Sequence, residues 1–133
     1  MMQIVMPRAL LTEIEAHAKE EAPRECCGLL AGRDGQIVAR YPLRNQSADP
    51  EREYFAAPED LFIAMRRMRE RREELLAIYH SHPRGRPYPS ATDLEMAFYP
   101  EAVYLIVAVE PSPEVRAFQI KEHTIQEILL VIE

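Results

Sequence analysis

The sequence predicts an α+β fold: a mainly antiparallel, mixed β-sheet flanked by helices. Three observations predict it. Short apolar runs bounded by turn residues recur along the chain, two segments show a helical apolar period, and one Asp-Gly pair joins two strand-like runs. The 133 residues, 47% hydrophobic, fit one domain spanning 1–133 with a single core.

Residues 2–6 read as a short first strand. Residues 7–20 read as a helix, because Leu10, Leu11, Ile14 and Ala18 share a stripe. Pro23 follows and stops it. Residues 26–32 and 36–43 are apolar enough for strands, joined at Asp34-Gly35. Residues 45–52 are polar and turn-rich, and 53–56 read as a short edge strand. Pro58 suits the first turn of a second helix with a stripe of Leu61, Phe62, Met65 and Met68. That helix must end before an apolar strand at 75–79. The near-continuous apolar run 103–109 predicts a central strand. Residues 115–120 alternate as a half-exposed strand, and 124–132 read as the last strand.

Net charge is -6 and the pI is about 5.3, which gives no footprint for nucleic acid. No apolar run reaches the length of a membrane helix, and residues 1–11 lack a signal-peptide pattern. A cytoplasmic protein is expected. Arg66, Arg67, Arg69, Arg71 and Arg72 crowd the second helix. They read as a solvated face, with Glu70, Glu73 and Glu74 as local partners, rather than as a docking surface. Cys26 and Cys27 are neighbours on a strand, so they point to opposite faces and do not bridge each other. Both read as small buried hydrophobes. His17 and His123 read as surface histidines.

The chemistry lies in His80-Ser81-His82-Pro83, followed by Ser90 and Asp93, the pattern H-x-H-x7-S-x-x-D. The chain holds four each of His, Ser and Asp. A chance match at four fixed positions is therefore on the order of one in ten thousand. Two imidazoles and a carboxylate are zinc ligand types, with a fourth position left for water. Alternation along a strand points His80 and His82 the same way and Ser81 elsewhere, where it bonds backbone or a neighbour of the ligands. Pro83 ends the ladder. The loop 84–89 then turns the chain, and its Arg84 and Arg86 border the site. Ser90 and Asp93 open a helix expected over 90–98. Ser-x-x-Asp also fits a helix capping box, so both readings stay open here.

Together with Pro23-Arg24-Glu25-Cys26-Cys27-Gly28, this pattern resembles the JAMM (MPN-plus, Mov34/MPN/PAD-1) zinc metalloprotease family, in particular its small stand-alone prokaryotic members. The resemblance implies a layered, cytidine-deaminase-like fold and a Zn2+ ion held by His80, His82 and Asp93. It implies Glu25 as the general base and Ser90 as a hydrogen-bond donor to the developing oxyanion. The implied partner is a ubiquitin-like or sulfur-carrier protein, cleaved after a C-terminal Gly-Gly tail, with release of cysteine in some members. Neither nucleic acid nor membrane is implied, and a homodimer stays open. The alternative is a non-catalytic MPN-type interaction module with a structural zinc. Such a site would need four protein ligands, and the sequence offers three. A zinc deaminase would need His-x-Glu and Pro-Cys-x-x-Cys, which are absent.

Overall fold

The computed structural model describes residues 3–133, so residue 2 of the expected first strand lies outside it. The elements are β1 (Gln3–Met6), α1 (Arg8–Glu21), β2 (Cys27–Arg33), β3 (Gln36–Leu43), α2 (Pro58–Glu70), β4 (Glu74–His82), α3 (Ala91–Glu95), β5 (Val103–Ala108), β6 (Glu114–Lys121) and β7 (Thr124–Ile132). The strands run in the order β1-β3-β2-β4-β5-β6-β7 and close into a barrel through β1 and β7. Pairs β1–β3, β1–β7 and β4–β5 are parallel, and the other four are antiparallel. The mixed, mainly antiparallel sheet with flanking helices is the fold class expected. Among the described residues, no helix is long and apolar enough to cross a membrane.

Alternate side chains of the strands feed two cores. Cys26, Leu30, Tyr79 and Leu105 join Ile14 and Ala18 of α1 in one; Cys27, Leu29, Ile78 and Ile106 join Ala64 and Met68 of α2 in the other. The two cysteines divide between the cores as alternation requires. All six residues of β5 are buried, which accounts for its unbroken apolar run. Burying a side chain such as Leu105 contributes about 1.5–3 kcal/mol. A half-exposed ion pair such as Arg116–Glu127 contributes about 0–1 kcal/mol. Core packing, not surface charge, therefore fixes β4 between β2 and β5.

Local chemistry accounts for most boundaries. Asp34 and Gly35 both take positive φ, 53° and 75°, the geometry of a two-residue hairpin turn matched to the strand twist. Three expectations are corrected. Residues 53–56 form no strand: only Ala56 pairs, in an isolated bridge with Asn45. The Asn45 side chain takes the Glu53 carbonyl and the Phe55 N–H, groups a ladder would need. The buried stripe of α2 is Leu61, Ala64 and Met68, whereas Phe62 and Met65 are 66% and 42% exposed. A 3.6-residue period centred on Ala64 leaves those two off the stripe. Finally, α3 ends at Glu95, with Met96 as its C-cap, rather than near residue 98. The α2 arginines also find no ion pair with Glu70, Glu73 or Glu74 among the described residues. Arg71 instead donates to the Tyr41 hydroxyl at 3.3 Å.

Gly28 faces Tyr79 across the β2–β4 ladder, and a Cβ there would stand 2.2 Å from the Tyr79 ring. That ring is fully buried, and its hydroxyl accepts from Arg40 at 3.0 Å and meets His17 Nδ1 at 2.8 Å. It has nowhere to move. Gly28→Ala is expected to cost about 1–3 kcal/mol through overpacking, measured by urea unfolding of the metal-free protein. A variant as stable as the parent would show that Tyr79 can yield.

Candidate active site

The site forms where the end of β4, the turn before β2 and the N-terminus of α3 meet. His80 and His82 leave β4 on one face. Ser81 points to the other, where its Oγ accepts from the Cys26 N–H at 2.8 Å and its own N–H donates to the Cys26 carbonyl at 3.1 Å. Fully buried Ser81 thus staples β4 to the start of β2 between the two histidines.

Asp93 arrives from α3. Ser90 Oγ accepts from the Asp93 N–H at 3.1 Å, and the Asp93 carboxylate accepts from the Ser90 N–H at 2.9 Å. The capping box is complete. It also aims the carboxylate at the histidines. Asp93 Oδ1 lies 3.0 Å from His80 Nε2, Oδ2 lies 3.0 Å from His82 Nε2, and the two Nε2 atoms are 3.2 Å apart. Tetrahedral ligands at about 2.0–2.1 Å from a metal stand about 3.3 Å from one another. The trio is therefore spaced for one small divalent ion. Capping and metal binding are not rival uses of Ser-x-x-Asp, because the cap holds the carboxylate that a metal would need.

The surroundings set which lone pairs face inward. His82 Nδ1 lies 2.8 Å from the Arg86 carbonyl. A carbonyl only accepts, so Nδ1 carries the proton and Nε2 is free to ligate. His80 is 1% exposed and stacks on Tyr54, with ring centroids 4.7 Å apart at 28°. Its Nδ1 is buried with no hydrogen-bond partner. Among the described residues the metal-competent group contains these three ligands and no fourth, so a bound ion would keep an open position.

Glu25 lies just before β2, 5% exposed, and its Oε1 has no hydrogen-bond partner. Burial pushes its carboxyl up to about 8, with His82 pulling down and Asp93 pushing up. Burial would also raise Asp93, but hydrogen bonds from His80 and His82 outweigh it and hold Asp93 well below the usual carboxylate range. Burial lowers His82, yet its bonds to Asp93 and the Arg86 carbonyl leave it raised. Burial pushes Cys26 up to about 11 and Cys27 to about 12, and neither belongs to the converging His80, His82, Asp93 group.

The structure brings Glu25, His80, His82, Ser90 and Asp93 to one end of the sheet. His17 is not a surface residue: it is half-buried against Tyr79, and burial together with Arg40 lowers its pKa. His123 is exposed in the β6–β7 turn. Arg84 is exposed and reaches Glu51 at 3.8 Å. Sequence reasoning missed Tyr54, Asn45 and the Arg86 carbonyl, none of which falls in a motif. It also missed an apolar cavity of about 280 Å³ lined by Tyr54, Cys27, Leu61, Met96 and Tyr104, beside His80.

Three converging ligands beside a buried, unpartnered carboxylate make up the donor set of metal-assisted hydrolysis. Residues 7–121 match the family described as prokaryotic homologs of the JAB domain, and the chain belongs to that family. It is 39% identical over 129 residues to a Thermus thermophilus protein named as a probable TtuB-protein conjugate cleaving protease, covering 97% of this chain and 82% of that one. It is 31% identical over 128 residues to the CysO-cysteine peptidase of Mycobacterium tuberculosis, covering 93% and 87%. A Desulfitobacterium hafniense protein solved in solution superposes with a TM-score of 0.88 at 34% identity, covering 98% and 92%.

Two outcomes are expected from the charges. A metal must displace protons from the histidines, and His82 sits above its ordinary 6.5. Divalent-metal affinity should fall about tenfold per pH unit below that raised value, for each proton displaced. Calorimetric titration between pH 8 and 6 measures it, and a flat profile removes His82 from the ligand set. For Glu25, the folded pKa of about 8 exceeds the ordinary 4.5, so the fold favours the neutral form. Its contribution to stability is fully present below 4.5 and is lost as pH rises through about 8. Metal-free Glu25→Gln should therefore gain on the parent between pH 5 and pH 9 in chemical denaturation. A gap that does not widen would place Glu25 in solvent.

Proposed function

We propose that this chain is a zinc-dependent hydrolase that cleaves the bond following the C-terminal Gly-Gly of a ubiquitin-like or sulfur-carrier protein. His80, His82 and Asp93 hold the zinc, and residues 1–133 act as one catalytic domain. The observation that carries the reading is a buried carboxylate with an orphaned oxygen beside a three-ligand metal pocket. The Thermus and Mycobacterium relatives support the substrate class: one is named as a probable TtuB-protein conjugate cleaving protease, the other as a CysO-cysteine peptidase.

A zinc ion in this pocket supplies Lewis acidity, which acidifies water and polarises a carbonyl. The protein does the rest. Glu25 takes the proton from the attacking water on its carboxylate and delivers it to the leaving nitrogen, so the acyl carbon gains hydroxide and the amine leaves protonated. A neighbouring cation favours the ionised form of Glu25, which makes a carboxyl raised by burial available as a base. Ser90 serves twice. Its oxygen accepts from the Asp93 N–H, and its hydroxyl proton stays free to donate to the developing oxyanion. A diglycine tail suits the approach, because glycine lets substrate backbone pass close to protein. The apolar cavity beside Tyr54 offers room for a nonpolar side chain further up the tail.

The test is to offer the zinc-loaded protein a panel of carriers ending in Gly-Gly and extended by different amino acids or by a lysine isopeptide. Mass spectrometry should find cleavage directly after the second glycine. Glu25→Gln should keep about one zinc per chain and lose at least about a hundredfold in turnover. Cleavage elsewhere, or full activity in Glu25→Gln, would overturn the reading.

A further inference from the structure

The main chain of Glu25 is not held by the sheet. Its N–H donates to the Pro50 carbonyl at 2.7 Å, and its carbonyl accepts from Asn45 Nδ2 at 3.0 Å. The same Nδ2 also reaches the Glu53 carbonyl at 3.1 Å and the Pro50 carbonyl at 3.3 Å. Asn45 Oδ1 accepts from the N–H groups of Ser47 and Phe55, both at 3.0 Å. Three carbonyls on one side and two N–H groups on the other fix which end of the amide is nitrogen. The bond to Ser47 is a common local turn. Those to Glu25, Glu53 and Phe55 reach further: they join residue 25 to the backbone on both sides of Tyr54, the ring stacked on His80. Asn45 is 5% exposed, so water does not replace these bonds.

We propose that Asn45 is the positioning residue of this site, one amide that sets the main chain of Glu25 and the seat of Tyr54 against the metal ligands. The inference rests on the reading of Glu25 as the base. The side chain touches no reacting atom; it acts through Glu25 and Tyr54. Displacing a catalytic group by about 1 Å costs on the order of a hundredfold in rate while leaving substrate binding elsewhere intact.

Two variants separate its halves. Asn45→Asp keeps the shape and the acceptor for Phe55 but loses the donor to Glu25, Pro50 and Glu53. Asn45→Ala loses both. The Glu25 N–H donates to the Pro50 carbonyl that Asn45 Nδ2 also holds, so loosening of that carbonyl is read at the Glu25 amide. Amide hydrogen exchange by NMR should be faster at Glu25 with Phe55 still protected in Asn45→Asp, and faster at both in Asn45→Ala. The β4 and β5 amides should stay protected in each. Zinc content should remain near one per chain. On a cleaved carrier, kcat per zinc-loaded chain should fall about tenfold or more with KM within about threefold. Unchanged exchange at Glu25, or kcat per loaded chain within twofold of the parent, overturns the proposal. So does failure of both variants to fold, which would make Asn45 a stability residue alone. A parent that cleaves no carrier sinks the proposed function instead, and the exchange pattern then decides the role of Asn45 by itself.

Discussion

The antiparallel register that sets Cys27 opposite His80 is the constraint on which the site depends. A slip of one residue would turn every side chain of β4 to the other face, exchanging Tyr79 for His80 in the core. Two contacts beside His80 forbid the slip. Gly28 leaves room for the Tyr79 ring and for nothing else, and buried Ser81 exchanges two hydrogen bonds with the Cys26 backbone. The Pro-x-Glu-x-Cys-Gly segment and the His-x-His strand are thus two halves of one interlock. The glycine that ends the first half exists for the tyrosine that precedes the second.

Two carboxylates in this pocket are driven in opposite directions. Asp93 is held ionised by two imidazoles and a backbone N–H, while burial without a partner pushes Glu25 up to about 8. Divergent environments of this kind suit different tasks, a fixed anion in one case and a group that can carry a proton in the other. The orphaned Glu25 oxygen would be a defect in a purely structural protein.

Much of this was legible in the sequence. The strands were read from local patterns, strongest at the Asp-Gly turn and the apolar run of β5, and His80, His82 and Asp93 share one short motif. What escaped came from longer range or from weak periods. Asn45 sits in a polar stretch that reads only as a turn, and its partners are Glu25, twenty residues back, and Phe55, ten residues on. No local pattern encodes that convergence. Tyr54 reads as part of an edge strand until the Asn45 amide takes the backbone on either side of it. In α2 the buried stripe runs through Ala64, whose small side chain draws less notice than exposed Phe62. His17 looks like a surface residue because its partners, Tyr79 and Arg40, belong to other elements.

The division between cores and site bears on how the protein tolerates loss of its metal. Both cores are built of apolar side chains, whereas His80, His82 and Asp93 meet through polar contacts. The capping box is closed by Ser90 and Asp93 themselves, and the Arg86 carbonyl holds His82, so neither bond needs an ion. In small zinc modules the metal supplies the folding energy because no sufficient core exists without it. Here two apolar cores on opposite faces of a closed sheet supply that energy. His82 and Asp93 are set by their own hydrogen bonds without an ion. A metal bound by this trio would then spend little of its affinity on ordering the chain, and with no fourth protein ligand among the described residues it would keep a position open.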